Sequence, residues 1–154
     1  MGETASDAER ARVAAVALLA RRDIASGELL VKLKRKGFSA AAACSAIDAL
    51  QAERLLNDER WAENYVRYHA GRGHGPVRIA RELGGFGVAA AVIEGALAAG
   101  PDWRRLAREV RTRKFGDELP GSLAEKARQG RFLQYRGFSA DHIRLALGAD
   151  YDPD

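Results

Sequence analysis

The chain has 154 residues, 47% hydrophobic and 30% charged, with 25 Lys and Arg against 21 Asp and Glu. That length suits one compact domain or a few small units sharing a core, and the apolar fraction is too high for a disordered chain. The longest run free of charged or polar side chains, Leu83–Ile93, is 11 residues with three glycines, against about 20 for a membrane span. Glu3, Asp7 and Glu9 give the start of the chain the wrong sign for a signal peptide, and the single Cys44 excludes an intrachain disulfide or a multi-cysteine zinc site. A soluble, cytoplasmic protein is expected.

In chain order the repeating signal is 3.6 residues, and nothing alternates long enough to predict a strand. Val13, Val16, Ala17 and Ala20 share one stripe of a first helix, with Ser6 and Glu9 as its capping box. Ser26 is the expected N-cap of a second helix carrying Leu29, Leu30 and Leu33 and stopping at Gly37. Ser39 caps a third, with Ala43, Ile47 and Leu50. Asn57 or Asp58 starts a fourth, with Trp61, Tyr65 and Tyr68 on neighbouring turns, where aromatic residues are more often core than base-stacking. Pro76 opens a fifth through Ile79 and Leu83. A sixth follows Gly87. Asp102 caps the helix of Trp103, Leu106 and Val110; Ser122 and Glu125 form a second capping box, and Ser139 starts a ninth helix. Cys44, in an alanine-rich helix, reads as a small buried hydrophobe.

A repeat with an offset of 50 residues runs through these helices. Leu33, Leu83 and Leu133 each precede a glycine by four residues (Gly37, Gly87, Gly137), followed by Phe38, Val88 and Phe138. Ala43, Ile93 and Ile143 come next, then Ile47, Leu97 and Leu147. In this reading the leucine is the last core anchor of one helix, the glycine takes the left-handed position that ends it, and the next apolar residue folds back. The expected fold is all-α: three tandem three-helix, helix–turn–helix-like repeats, stacked because about 50 residues alone bury too little surface. The expected divisions are an acidic N-terminal segment 1–9, repeats over 10–56, 57–100 and 101–148, and an acidic C-terminal tail 149–154.

Stretches within this frame resemble the RecX family, regulators of the RecA recombinase, over about residues 12–148. They are Asp58-Glu-Arg-Trp61-Ala-Glu-Asn-Tyr65, Gly73-His-Gly75-Pro76-Val-Arg78-Ile79-Ala-Arg-Glu82-Leu83, and Lys126-Ala-Arg128-Gln-Gly-Arg131-Phe132-Leu133-Gln-Tyr-Arg136-Gly137-Phe138. The middle one is the most specific. The resemblance implies an elongated, curved array of three-helix repeats without enzymatic activity. Such a protein would lie in the groove of the RecA–DNA filament and restrain its ATPase, strand-exchange and coprotease activities. Gly84 and Gly85 depart from the family pattern and should weaken the end of their helix by about 1 kcal/mol each.

The two acidic ends leave residues 10–149 with 25 bases against 15 acids, 20 of those bases being Arg. The guanidinium fork suits phosphate and carboxylate, so a polyanion or an acidic protein surface is the expected partner. Lys32, Lys34, Arg35 and Lys36 form a first cluster, although lysines in a last helical turn also offset the helix dipole. Arg72 and Arg78 flank Gly73-His74-Gly75-Pro76, a turn able to present amides to an anion or to serve as a plain connector. Arg104, Arg108 and Arg111 fall along one side of a helix in a run of six bases in eleven residues, and Arg128, Arg131 and Arg136 follow in the next helix. The spacing of His69, His74 and His142 points to no zinc helix, no catalytic triad is legible, and neither cofactor nor metal is expected. The expected partners are the RecA filament and DNA, single- or double-stranded, with the protein a monomer. The alternative is a stand-alone DNA-binding helix–turn–helix repeat protein.

Overall fold

The computed structural model describes residues 3–148, and the acidic tail 149–154 lies outside the described residues. Nine α-helices and no strand are found among them: α1 (Glu3–Arg21), α2 (Ser26–Arg35), α3 (Ala40–Ala52), α4 (Asp58–Gly71), α5 (Pro76–Gly85), α6 (Ala90–Ala98), α7 (Trp103–Phe115), α8 (Leu123–Tyr135) and α9 (Ala140–Leu147). The described residues belong to two compact units, one within Met1–Ala62 and Leu83–Ile93, the other within Glu63–Glu82 and Glu94–Asp154.

The repeat is an all-α, three-helix construction, and its glycine turn has the same hydrogen bonding each time. Leu33, Leu83 and Leu133 are fully buried, each contributing about 2 kcal/mol of burial. Gly37, Gly87 and Gly137 follow with φ of 99°, 80° and 97°. Their amides donate to the carbonyls of Lys34, Gly84 and Gln134 at 3.0 Å. The next amides, of Phe38, Val88 and Phe138, reach back to the carbonyls of Leu33, Leu83 and Leu133 at 3.1–3.2 Å. Two orphan carbonyls at each helix end are thereby satisfied. Helix α5 runs through Gly84 and Gly85 because this lock secures its end.

In the first unit α1 packs on α3, with Ile24, Leu29, Leu33, Ile47, Leu50 and Leu56 in the core. The buried face of α1 is not the expected one. Ala11 and Ala15 are fully buried while Val13 is 68% exposed and Val16, Ala17 and Ala20 also face outward. Ala11 meets Ala42 and Ala46 of α3, and only alanines let the two helices approach so closely. The helix also begins at Glu3, so position 6 lies inside it rather than at its start.

Ser26 does not cap α2 either: the N-cap is Ala25. The Ser26 amide donates to Asp58 Oδ1 at 2.8 Å, and its hydroxyl donates to Oδ2. The first turn of α4 thus satisfies the start of α2, and the Asp58 carboxylate also suits the positive end of that helix dipole. Asn57 caps α4 through Oδ1, which accepts from the Arg60 amide. Ser39, Asp102, Ser122 and Ser139 cap α3, α7, α8 and α9 as expected. Glu125 directs its carboxylate to Arg128 and Gln129. Cys44 is exposed, contrary to expectation, because Ala43, Ala46 and Ile47 form the inward face of α3. Tyr68 is 61% exposed and outside the core, while Trp61, Tyr65 and Trp103 are half-buried.

In the second unit α7, α8 and α9 enclose Ala107, Val110, Leu133, Phe138, Ile143, Ala146 and Leu147. The turn before α5 is seated directly on the Gly137 turn: the Gly75 amide donates to the Arg136 carbonyl at 2.8 Å and the Val77 amide to the Gly137 carbonyl at 2.9 Å. A Cβ on Gly75 would fall 2.5 Å from the Gly137 carbonyl carbon, so glycine is needed there for backbone to meet backbone.

Candidate binding surface

The second unit presents two basic depressions, on either side of the last turns of α8. The larger, an open cleft of about 780 Å³, is walled by Val77, Arg78, Arg81 and Glu82 from α5 and by Arg131, Gln134 and Tyr135 from α8, with Gly137 at its end. Arg78 and Arg81 are three residues apart on α5, and Arg131 and Tyr135 four apart on α8, so each pair shares a helix face. Tyr135 is 90% exposed. Arg81 and Arg131 are exposed and form no ion pair among the described residues.

A partly buried network anchors Arg78 at the cleft wall. Its Nε donates to Glu82 Oε1 at 2.9 Å, and the Tyr65 hydroxyl donates to Glu82 Oε2 at 2.5 Å. Burial would raise the Glu82 pKa, but the hydrogen bonds from Tyr65 and Arg78 outweigh it and hold the carboxyl below its ordinary value. Burial, with Glu82 alongside, pushes the Tyr65 phenol up. Behind them His69 Nδ1 and His74 Nδ1 are 3.1 Å apart, with stacked rings. One nitrogen must donate and the other accept, which needs neutral Nδ1 on one ring. Burial lowers the pKa of both histidines.

The smaller depression, about 160 Å³, is lined by Arg72, Gly73, Val110, Arg113, Lys114, Phe132 and Arg136. Lys114 and Arg136 both lie over the Phe132 ring, at 5.7 and 5.3 Å from its centroid, a cation–π arrangement that holds two like charges near one aromatic. Arg72 is bonded to the Tyr68 hydroxyl at 3.2 Å and stands over its ring.

The structure thus brings Arg78 and Arg131 to one depression and Arg72 and Arg136 to the other. Arg104 and Arg108 are exposed on α7 but line neither. Arg128 is tied to Glu125 and covers Phe115 at 5.0 Å. Arg111 is no surface cation: it is 3% exposed. Its guanidinium donates to the carbonyls of Gly116, Asp117 and Glu118, to Thr112 and to Gln129. Position 111 shares the inward face with Ala107, four residues before it, so this arginine serves the loop between α7 and α8. In the first unit Lys34, Arg35 and Lys36 are exposed in and just beyond the last turn of α2, with Lys32 half-buried. The amides expected to receive an anion before α5 are already taken, those of Gly75 and Val77 by the carbonyls of Arg136 and Gly137. Arg81 and Tyr135 were missed as candidate residues: their spacing puts them on the helix faces of Arg78 and Arg131, but nothing in the sequence says that those two faces meet.

No helix among the described residues is long and apolar enough to cross a membrane, and no group of three or more His, Cys, Asp or Glu among them is placed to hold a metal ion. A family model described as the second three-helix domain of RecX matches residues 57–97, and one described as the third three-helix domain matches 104–147. The chain is 44% identical to the regulatory protein RecX of Halorhodospira halophila over 155 aligned residues, covering 100% of this chain and 96% of that protein. It is 45% identical to the regulatory protein RecX of Ectopseudomonas mendocina, covering 90% and 94%. Among solved structures, RecX from Lactobacillus salivarius superposes with a TM-score of 0.80 at 22% identity, covering 92% of this chain and 95% of that one.

Proposed function

The chain belongs to the RecX family of regulatory proteins, and from that premise we propose that it binds the RecA–DNA filament in its groove and restrains the ATPase, strand-exchange and coprotease activities of RecA. The observation that carries this reading is a match to regulatory proteins along the full chain, and the basic surface of the second unit supports it. Around the end of α8, Arg72, Arg78, Arg81, Arg131 and Arg136 face outward on depressions whose only carboxylate is Glu82. Clustered like charge of this kind costs stability until an acidic partner offsets it. Arg forks hold carboxylate and phosphate alike, so one face can engage acidic protein surface and DNA backbone together.

Regulation of this kind needs no catalytic step. A binder that prefers one filament state shifts the population towards it by its differential affinity. The protein acts as a monomer in the cytoplasm, without cofactor. Lys32, Lys34, Arg35 and Lys36 of the first unit, with Arg104 and Arg108 of the second, are further contacts in this reading.

Pelleting of preformed RecA–DNA filaments in rising salt tests it. Binding to phosphate alone falls steeply with salt. The chain should still pellet with filaments at salt concentrations where it no longer binds the same DNA free of RecA; loss of both together would contradict filament recognition.

A further inference from the structure

We propose that the Gly37 turn is a docking surface for a second copy of this chain, which seats the start of its α8 there, head to tail. Neither RecA nor DNA takes part in this contact, so it can fail without filament recognition failing, and the reverse.

The joint already occurs twice inside the chain, once in each unit. In the second unit the start of α5 rests on the Gly137 turn through the Gly75 and Val77 amides. In the first, the start of α2 rests on the Gly87 turn. A Cβ on Gly27 would fall 2.5 Å from the Phe86 carbonyl oxygen and 2.8 Å from the Gly87 Cα. Each of these glycine turns receives the first turn of the second helix of another repeat. That leaves one glycine turn without a helix start, at Gly37, and one such helix start without a turn, at α8.

Both leftovers are open. A Cβ on Gly37 meets nothing within 4 Å, and the carbonyls of Lys36 and Gly37 accept no hydrogen bond among the described residues. Phe38 is half-buried, whereas Val88 and Phe138, one residue after the covered turns, are 6% and 3% exposed. Ala124 is the second residue of its helix, as Gly27 and Val77 are of theirs, and it is exposed. Leu119 and Leu123, before and at the start of α8, are the most exposed leucines of the described residues, at 61% and 82%.

Charge selects the occupant. Lys34, Arg35 and Lys36 are exposed beside Gly37, Asp117 and Glu118 are exposed just before α8, and none of the five forms an ion pair among the described residues. Arg111 holds the carbonyls of both acidic residues, so their carboxylates leave a fixed backbone. Docking joins these opposite charges and covers the two leucines against Phe38. A nucleic acid would pair with the cations but leave the acids and leucines without a partner. Three cations against two carboxylates leave the turn net positive, so it can still contact a polyanion. The contact is heterologous, two different patches of one chain. One turn against one helix start is smaller than the roughly 1,200 Å² of a stable interface. Copies therefore stay single in dilute solution and join where they are crowded, as when bound side by side.

The experiment is sedimentation equilibrium of the full chain at low salt without DNA. The weight-average mass should rise above that of the single chain as its concentration approaches about 1 mM. Lys34→Glu/Lys36→Glu and Asp117→Lys/Glu118→Lys should each associate at least about tenfold more weakly, because like charges then face each other. An equal mixture of the two variants should regain the wild-type association, since each now complements the other. All four side chains lie on the surface, and circular dichroism of each variant confirms that the helices are kept. A mass that stays at the single-chain value throughout would overturn the proposal. So would variants that associate like the wild type, a mixture no better than its components, or association that appears only when DNA is added.

Discussion

The turns that close α2 and α8 share a sequence pattern, a left-handed glycine and the same two backbone hydrogen bonds, yet they work under different constraints. A Cβ built on Gly37 meets nothing within 4 Å, whereas one on Gly137 would collide with the Cβ of Arg78 and lie 2.8 Å from its amide nitrogen. Gly87 falls between them, with the Cα of Gly27 at 3.0 Å from its Cβ position. In the first turn glycine supplies conformation alone. In the third it also supplies room, because the start of α5 is bonded onto the turn and carries Arg78 into the cleft. A repeated motif therefore fixes the backbone at each copy without fixing what rests on it.

Substitution at the two glycines is the strongest way to break this comparison. Gly137→Ala adds overpacking to left-handed strain and should cost about 3 kcal/mol, against about 1 kcal/mol for Gly37→Ala, which carries strain alone. Urea unfolding measures both, and equal losses would mean that the buttress is absent. Arg111→Leu should cost about 2 kcal/mol, because the carbonyls of Gly116, Asp117 and Glu118 lose a charged donor. Arg108→Leu, an exposed change on the same helix, should stay within about 0.5 kcal/mol.

Acid should separate the two units as well. The unfolded chain takes up protons near 6.5, the ordinary value for histidine, that the half-buried His69 and the buried His74 refuse. Stability is therefore lost as pH falls through 6.5 towards their lowered values. Glu82, held below its ordinary 4.5, adds stability that is lost only as pH falls further, through its folded value. All three groups lie in the second unit, so amide exchange at pH 5.5, corrected for its intrinsic rate, should quicken in the second half of α4 and the start of α5 before it does in α2. Uniform quickening would contradict this. The smallest effect is a gain. Arg54 is the one non-glycine residue with positive φ among those described, at 60°, and Arg54→Gly should stabilise by about 0.5 kcal/mol once the added freedom of the unfolded chain is subtracted.

Much of the fold was legible because helix ends are local events. The glycine turns, the Ser39, Asp102, Ser122 and Ser139 caps and Pro76 at a helix start each depend on a few adjacent residues. What escaped were features set by distant partners. The valine stripe of α1 is the more hydrophobic one, but close approach to Ala42 and Ala46 selects the alanine stripe. Ser26 looks like a cap until Asp58, 32 residues later, takes over that duty. Arg111 counted among the surface cations because the loop carbonyls that bury it belong to an irregular segment with no periodicity to read. The site was half legible for the same reason: charge marked Arg78 and Arg131, but only the packing of α5 beside α8 brings Arg81 and the exposed Tyr135 to the same cleft.

The basic cleft of the second unit is the surface we propose for filament regulation. The most direct test is ATP hydrolysis by RecA on single-stranded DNA, titrated with the wild-type chain and with Arg81→Ala/Arg131→Ala. The wild type should suppress hydrolysis well below one molecule per DNA-bound RecA, and the variant, equally folded, should need at least tenfold more. Equal suppression by the two, or inhibition by the wild type only at amounts that saturate the DNA, would contradict it.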